Sequence, residues 1–205
     1  MTILIFVRHG ETDWSRTTEH RFRGRIDIPL NAKGVQQAKA VSRRLANEDI
    51  SVIYSSPFKR AWNTAKEIAE LHNLPVTSHQ GFIDLNFGDW QEQLHSELAK
   101  TEPELYNRWL NEPHTMTFPN GESLAAVRER IEHAIPELVI KHENETIVIT
   151  THGAVLRVIH CLLHHVGNDN YWKFNMDNCA ITIARSEHGK YSILAENDNS
   201  HLSKL

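Results

Sequence analysis

Two histidines, each followed by glycine and each ending an apolar run, are the residues of this chain best able to do chemistry. His9-Gly10 follows Ile3-Leu4-Ile5-Phe6-Val7, and His152-Gly153 follows Thr146-Ile147-Val148-Ile149-Thr150 by way of Thr151. Short β-branched runs bounded by polar residues read as buried strands. In open α/β sheets, ligands bind just outside the carboxyl ends of the strands. Arg8 precedes His9. Arg60 falls in the first turn of a helix expected after the strand Val52-Ile53-Tyr54, with Ser56 at the N-cap and Pro57 at N1. A cation at a helix start is unfavourable without an anionic partner. Brought together, Arg8, His9, Arg60 and His152 would suit a doubly charged tetrahedral anion, because guanidiniums match phosphate oxygens in pairs. The helix opened by Gly153 would add backbone N–H donors. A neutral imidazole can attack phosphorus while the other three groups hold the equatorial oxygens. The displaced alkoxide needs a proton, and Asp84 is the carboxyl group best placed to give it, ahead of Asp89 and Glu11. A nucleophile that must be neutral and an acid that must be protonated predict a bell-shaped pH dependence.

These groups need elements that carry them to one place. Asn31 precedes a helical pattern with Val35, Ala38, Val41 and Leu45 on one face, and a second pattern follows with Phe58, Ala61, Ala65, Ile68 and Ala69. Pro75-Val76-Thr77 reads as an edge strand, since proline cannot donate to a ladder. Phe82 to Trp90 is an acidic, aromatic loop. Residues 93 to 112 look helical with a break at Pro103, and the segment at about 93–118 is expected as an insertion or lid over the sheet's open end. Ser123 should cap a helix through about His142, which Pro136 should kink or break. Ala154 to Val166 is an apolar helix. Cys179 to Ala184 and Tyr191 to Ala195 read as a final strand pair around the turn Glu187-His188-Gly189, before a polar tail expected to be loosely ordered. Strands alternating with helices indicate an α/β fold, a three-layer αβα sandwich with a mostly parallel central sheet. At 205 residues the chain is most simply one domain.

The stretch from Asp13 to Asn31 is polar and turn-rich, and it places Arg21, Arg23 and Arg25 at alternate positions beside Gly24. If extended, the three would point the same way, towards an anion; a solvated basic loop is the plainer alternative. A formal net charge of −4 gives no electrostatic case for nucleic acid or an anionic membrane. Cys161 and Cys179 lie in apolar surroundings without CxxC spacing, so both are expected as free thiols in a reducing compartment. Without a secretory leader or a bilayer-length apolar run, a cytoplasmic protein is expected, monomer or homodimer. His160 and His164 have the i, i+4 spacing with which a helix binds zinc. No HExxH is present and no carboxylate lies nearby in sequence, so the pair is expected on the polar side of its helix, with no metal.

Arg8-His9-Gly10-Glu11-Thr12, taken with Thr151-His152-Gly153, resembles the histidine phosphatase superfamily, the phosphoglycerate-mutase-like proteins. The likeness runs over nearly the whole chain. It includes Asp27-Ile28-Pro29-Leu30-Asn31 with Gly34, Ser55-Ser56 with Arg60-Ala61 and Thr64-Ala65, Phe87-Gly88-Asp89-Trp90, and Pro119-Asn120-Gly121-Glu122-Ser123, in the family's order. The resemblance implies that His9 is the phosphoacceptor, forming a phosphohistidine, and that Arg8, Arg60 and His152 form the phosphate pocket. Asp84 would be the proton donor, and neither metal nor organic cofactor is implied. Ser15, Arg21, Arg23, Gly24 and Gly153 are expected around the substrate, with at least one of the arginines, which stand where much of the family is neutral, reaching its non-phosphate part. Two positions depart from the pattern: Asp84 stands where glutamate is usual, and Ser15 where asparagine commonly lines the pocket. Asn86 to Trp90, and Trp172-Lys173-Phe174 with Asp177, resemble both the α-ribazole phosphatases and the broad-specificity phosphatases of the same branch. The expected function is a phosphomonoester hydrolase acting on a small phosphorylated metabolite. A phosphoglycerate-mutase-type isomerase, a metal hydrolase and a non-catalytic phosphate-binding module are the alternatives. The first usually carries extra segments, and none follows the Asp84 loop.

Overall fold

The strand Thr2–Arg8 (β1) sends Leu4 and Phe6 to one face and Ile5 and Val7 to the other, and all four are buried. A strand apolar on both sides needs cover on both. The computed structural model, which describes residues 1–16, 20–203 and 205, provides it with two helical layers. Ala32–Leu45 (α2) and Lys59–His72 (α3) lay Ala38, Val41, Leu45, Ala65 and Ile68 against the Ile5–Val7 face. Leu124–Lys141 (α6) and Gly153–Leu163 (α7) lay Val127, Ile131, Ile135, Val155 and Ile159 against the Leu4–Phe6 face. The fold is therefore the expected α/β three-layer sandwich.

Between the layers, Val52–Ser55 (β2), Val76–Ser78 (β3), Thr146–Thr151 (β4), Ile181–Glu187 (β5) and Lys190–Asp198 (β6) join β1 in one sheet of order β3-β2-β4-β1-β5-β6. The first four positions in that order run parallel, β5 runs antiparallel to β1, and β6 antiparallel to β5. The β5–β6 turn is closed by His188 and Gly189 at φ 50° and 74°, the two positive values that a tight two-residue hairpin requires. β3 lies at the sheet edge behind Pro75, as its proline demands.

Four local expectations are modified. Helix α3 starts at Lys59, with Phe58 rather than Ser56 at the N-cap. The side-chain acceptor for its first N–H comes from a distance, Asp27 Oδ1 at 2.7 Å from Lys59 N. Pro136 does not break α6, whose neighbouring Ile131, Ile135 and Leu138 are all buried; that packing outweighs one lost ladder bond. The polar tail is anchored, because Leu202 packs on the α2-side core and the His201 ring donates from Nε2 to the Cys179 carbonyl at 3.1 Å. In the polar stretch 13–31, Asp13–Arg16 forms a single helical turn (α1), and residues 17–19 lie outside the described residues.

The 93–118 segment forms His95–Thr101 (α4) and Pro103–Asn111 (α5), which meet at the expected Pro103, followed by a 3-10 turn over Pro113–Thr115. Leu98, Trp109, Met116 and Phe118 of this segment are buried against Phe22, Phe87 and Trp90. No helix among the described residues is long and apolar enough to cross a membrane.

Candidate active site

Parallel pairing brings three strand ends together. Arg8 at the end of β1 pairs with Thr151 of β4, and Ser55 of β2 pairs with Thr150. The turns that follow therefore start side by side: His9 N donates to the Thr151 carbonyl and Ser56 N to the Thr150 carbonyl, both at 3.0 Å. From the other flank, Cys179 N donates to the Arg8 carbonyl at 3.0 Å and Asn178 Nδ2 to the His9 carbonyl at 2.9 Å. The two imidazoles come to rest 5.3 Å apart.

His9 has a defined tautomer. Its Nδ1 lies 2.7 Å from the Gly10 carbonyl, an acceptor only, so Nδ1 carries the proton and Nε2 keeps its lone pair. Burial, reinforced by the positive charges of Arg60, Arg8 and Arg23, pushes the His9 pKa well below the ordinary histidine value. A neutral imidazole with a free Nε2 therefore lines the cavity described below. His152, fully buried, accepts at Nδ1 from Arg60 Nε at 3.1 Å and so donates from Nε2 to Ser56 Oγ at 2.7 Å. Burial and the charge of Arg60 likewise lower its pKa well below the ordinary value.

Arg60 is also fully buried. Besides His152 it donates to the Ile26 carbonyl at 2.8 Å, the Gly24 carbonyl at 2.6 Å and Asp84 Oδ2 at 2.9 Å, which occupies four of its five N–H donors. Asp84 holds its own loop as well, accepting at Oδ1 from Leu85 N at 2.9 Å, and its Oδ2 lies 3.5 Å from His152 Nδ1. Asp84 lines the cavity, whereas Arg60 and His152 stand behind its wall. The other two carboxyl candidates face elsewhere. Glu11 accepts from Asn31 Nδ2 at 3.0 Å, and the exposed Asp89 accepts from Asn120 Nδ2 at 2.9 Å.

The remaining guanidiniums surround a cavity of about 170 Å³. Arg8 is fixed to the Met176 carbonyl through Nη1, while its buried Nε has no partner among the described residues. Burial lowers its pKa to about 9, which leaves it charged at neutral pH. Arg23 donates through Nη1 to Thr12 Oγ1 at 2.9 Å and Ser15 Oγ at 2.6 Å, and burial lowers it to about 10. Ser15 is thus a brace for Arg23 and does not itself line the cavity. Arg21 and Arg23 both reach the cavity, but Arg25 does not. The chain turns at Gly24, φ +51°, and Arg25 swings away to Glu122 Oε1 at 2.7 Å. The expectation that the three arginines point one way fails there, because the segment is a turn rather than extended. A Cβ on Gly24 would also lie 2.8 Å from the Leu85 carbonyl oxygen. Gly153 and Ala154, at the start of α7, line the same cavity, where the helix's first N–H groups suit an anion. A Cβ on Gly153 would press to 3.2 Å from Arg8 Nε.

Several residues at the far end were not foreseen. Arg157 lines the cavity from one turn beyond Gly153, the i+4 position that shares its helix face. Its Nε donates to the Phe174 carbonyl at 3.0 Å, and its guanidinium lies 5.5 and 5.1 Å from the ring centres of Tyr171 and Trp172. Phe22, Phe87, Trp109 and His95 make the apolar wall, with His95 stacked on Phe22 at 3.9 Å and lowered to about 4 by burial and the nearby His20. Helical spacing could have found Arg157. Nothing in the sequence points to His95.

Buried cations, an unprotonated ring nitrogen and a carboxyl group around one small cavity match a family pattern, and comparison with known proteins decides it. The model of histidine phosphatase superfamily branch 1 matches residues 4–199. The chain belongs to the histidine phosphatase superfamily. As a member with the phosphoglycerate-mutase-like fold, it is a phosphatase that acts on small phosphorylated metabolites. It is 37% identical to "Phosphoserine phosphatase 1" of Hydrogenobacter thermophilus, over 100% of this chain and 96% of that protein. Among solved structures, Bacillus stearothermophilus YhfR superposes with a TM-score of 0.94 at 30% identity, over 99% of this chain and 100% of that one. A phosphoserine phosphatase from Entamoeba histolytica, a mutant in complex with phosphoserine, superposes at 0.87 with 31% identity, over 98% of this chain and 100% of that one.

Proposed function

We propose that the histidine phosphatase site of this chain works through His9 Nε2, without a metal, on a small phosphomonoester that carries a carboxylate beside its phosphate. The observation that carries the reading is the His9 ring, which lines the cavity, is neutral and has its proton held on Nδ1 by Gly10, leaving the lone pair on Nε2. In the first step Nε2 bonds to phosphorus as the ester P–O bond breaks, and the leaving oxygen takes the proton of Asp84. In the second, Asp84 as carboxylate takes a proton from water. The resulting hydroxyl attacks the phosphohistidine, returning the electron pair to Nε2 and releasing inorganic phosphate. Arg8, Arg23 and the α7 amides at Gly153 and Ala154 hold the phosphoryl oxygens. Arg60 sets a positive floor behind them and aims Asp84, neutral His152 holds Arg60 by accepting from its Nε, and Ser15 aims Arg23.

The non-phosphate half of the substrate falls to Arg157 and Arg21, on an aromatic wall formed in part by Trp109 and Trp172. Cations there favour an anionic group, and the relatives named for phosphoserine support a substrate of that kind. The 93–118 segment serves as the cover of this half within one domain spanning 1–205. A cytoplasmic setting, as monomer or homodimer, belongs to the same reading, and both cysteines are free and buried.

Phosphate release from a panel of phosphomonoesters, in EDTA, tests this. Carboxylated esters such as O-phosphoserine should be preferred over neutral ones. Arg157→Ala should lower kcat/KM for the carboxylated esters by roughly ten- to a hundredfold while sparing the neutral ones. Turnover that EDTA abolishes, or selectivity unchanged in Arg157→Ala, would count against the reading.

A further inference from the structure

The opposite end of α7, roughly 16 Å from Gly153 by helical rise, holds a second group of chemically able side chains that the phosphatase reaction does not use. His160 and His164 come from the helix, and Glu196 reaches them from β6. Glu196 Oε1 lies 3.0 Å from His160 Nδ1, and Glu196 Oε2 lies 3.0 Å from His164 Nε2. The three ligand atoms all fall within 4.8 Å of one another. The carboxylate that the sequence does not place near the histidine pair is thus supplied by the fold, because β6 runs beside α7.

We propose that His160 Nδ1, His164 Nε2 and a Glu196 carboxylate oxygen bind one zinc-class divalent cation, clamping the end of α7 to β6. Two imidazoles and one carboxylate are the protein ligands with which zinc forms open sites, at about 2.0–2.2 Å from each donor and with water in the fourth position. Donor atoms at that distance in a tetrahedron stand roughly 3.3 Å apart. Each ring nitrogen lies 3.0 Å from a different oxygen of Glu196 and one donor from each residue falls within 4.8 Å of the others, so the ion would draw the two rings in around a single carboxylate oxygen. The cation takes the place now held by the protons between the carboxylate and the two rings.

The surroundings fit this assignment. His160 is buried, and its other nitrogen, Nε2, lies 3.0 Å from Thr182 Oγ1. With a cation on Nδ1, Nε2–H donates to that oxygen, the outer bond that fixes a ligating imidazole's orientation. Phe174 stacks on the His164 ring at 5.0 Å and packs 5.4 Å from that of His160, holding both rings in place. His164 and Glu196 are the exposed members, so the fourth position opens to water and to the incoming ion. The site is separate from the phosphatase chemistry, and the inference does not depend on the substrate or mechanism proposed for His9.

Zinc titration of the EDTA-treated, desalted protein by calorimetry tests it, with His164→Ala and Glu196→Gln as variants that leave buried His160 intact. One equivalent should bind saturably, and each variant should bind at least about tenfold more weakly, since losing a ligand costs no less than losing its outer partner. Cobalt(II) gives an independent readout, a visible absorption band of a low-coordinate site that each variant bleaches. Binding that both variants leave unchanged, from the other histidines of the chain, would overturn the proposal. So would the absence of saturable binding, or of a cobalt band, in the wild type.

Discussion

Asp84 shows how much a single side chain is asked to do. It is one methylene shorter than the usual glutamate, yet its loop brings it to the cavity wall, where Arg60 and Leu85 N fix its two oxygens. Asp84→Asn is nearly isosteric, keeps one of the two accepted hydrogen bonds and removes the transferable proton. For alkyl phosphoesters kcat should fall by roughly 10²- to 10⁴-fold, the range of general acid catalysis. For an aryl phosphate whose leaving group is stable as an anion the loss should be far smaller. Steady-state rates on the two ester types check this, and equal losses would remove Asp84 as the acid. At this scale much was legible. His9 and His152 declare themselves because each ends an apolar β-branched run before a glycine. Ser15 was placed near the substrate, whereas its hydroxyl holds Arg23, a contact that depends on the α1 turn and not on residue type. Arg157 was missed because an arginine on an apolar helix reads as a surface cation until the helix's cavity end is known.

At the scale of elements, strand ends do the positioning, and turns decide which side chains share the cavity. Gly24 is the clearest case, for its positive φ sends Arg23 inward and Arg25 to Glu122 while its carbonyl receives Arg60. Gly24→Ala puts a Cβ into a left-handed conformation and against the Leu85 carbonyl. It should cost about 1–3 kcal/mol of stability by denaturant titration and loosen Arg60. Unchanged stability with full activity would contradict this role for the turn. The order of elements followed from alternation and helical period, since both faces of β1 and the inner stripes of α2, α3 and α6 are written in apolar residues. Boundaries governed by distant partners were not readable. The side-chain acceptor at the start of α3 is Asp27, and α6 passes through Pro136 because its packed stripe continues on either side.

For the molecule as a whole, burying histidines makes stability depend on pH. The folded-state pKa values of His9, His152, His160, His79, His95 and His201 are all lowered, in each case first by burial. Between those lowered values and the ordinary histidine value, the unfolded chain binds more protons than the folded one. Stability therefore rises with pH through that window and falls as pH drops from neutrality. For His9 and His152, which are fully enclosed, the slope approaches about 1.4 kcal/mol per pH unit each. Melting temperatures should drop from pH 7 towards pH 5, and a His152→Gln variant should show a shallower drop. A melting temperature that is flat, or rises on acidification, would show that these rings are not held neutral. The sandwich itself was readable from the sequence as a whole. The meeting of α7 with β6, which brings Glu196 to His160, was not, because it joins positions far apart in the chain.

The most direct test of the central claim is to quench the protein in alkali during turnover, where phosphohistidine survives, and map the phosphoryl group by peptide mass spectrometry. The account predicts one phosphoryl group on the peptide that carries His9, and none in His9→Ala, which should lose turnover by at least about a thousandfold. A phosphoryl group on any other residue, or turnover persisting in His9→Ala, would contradict it.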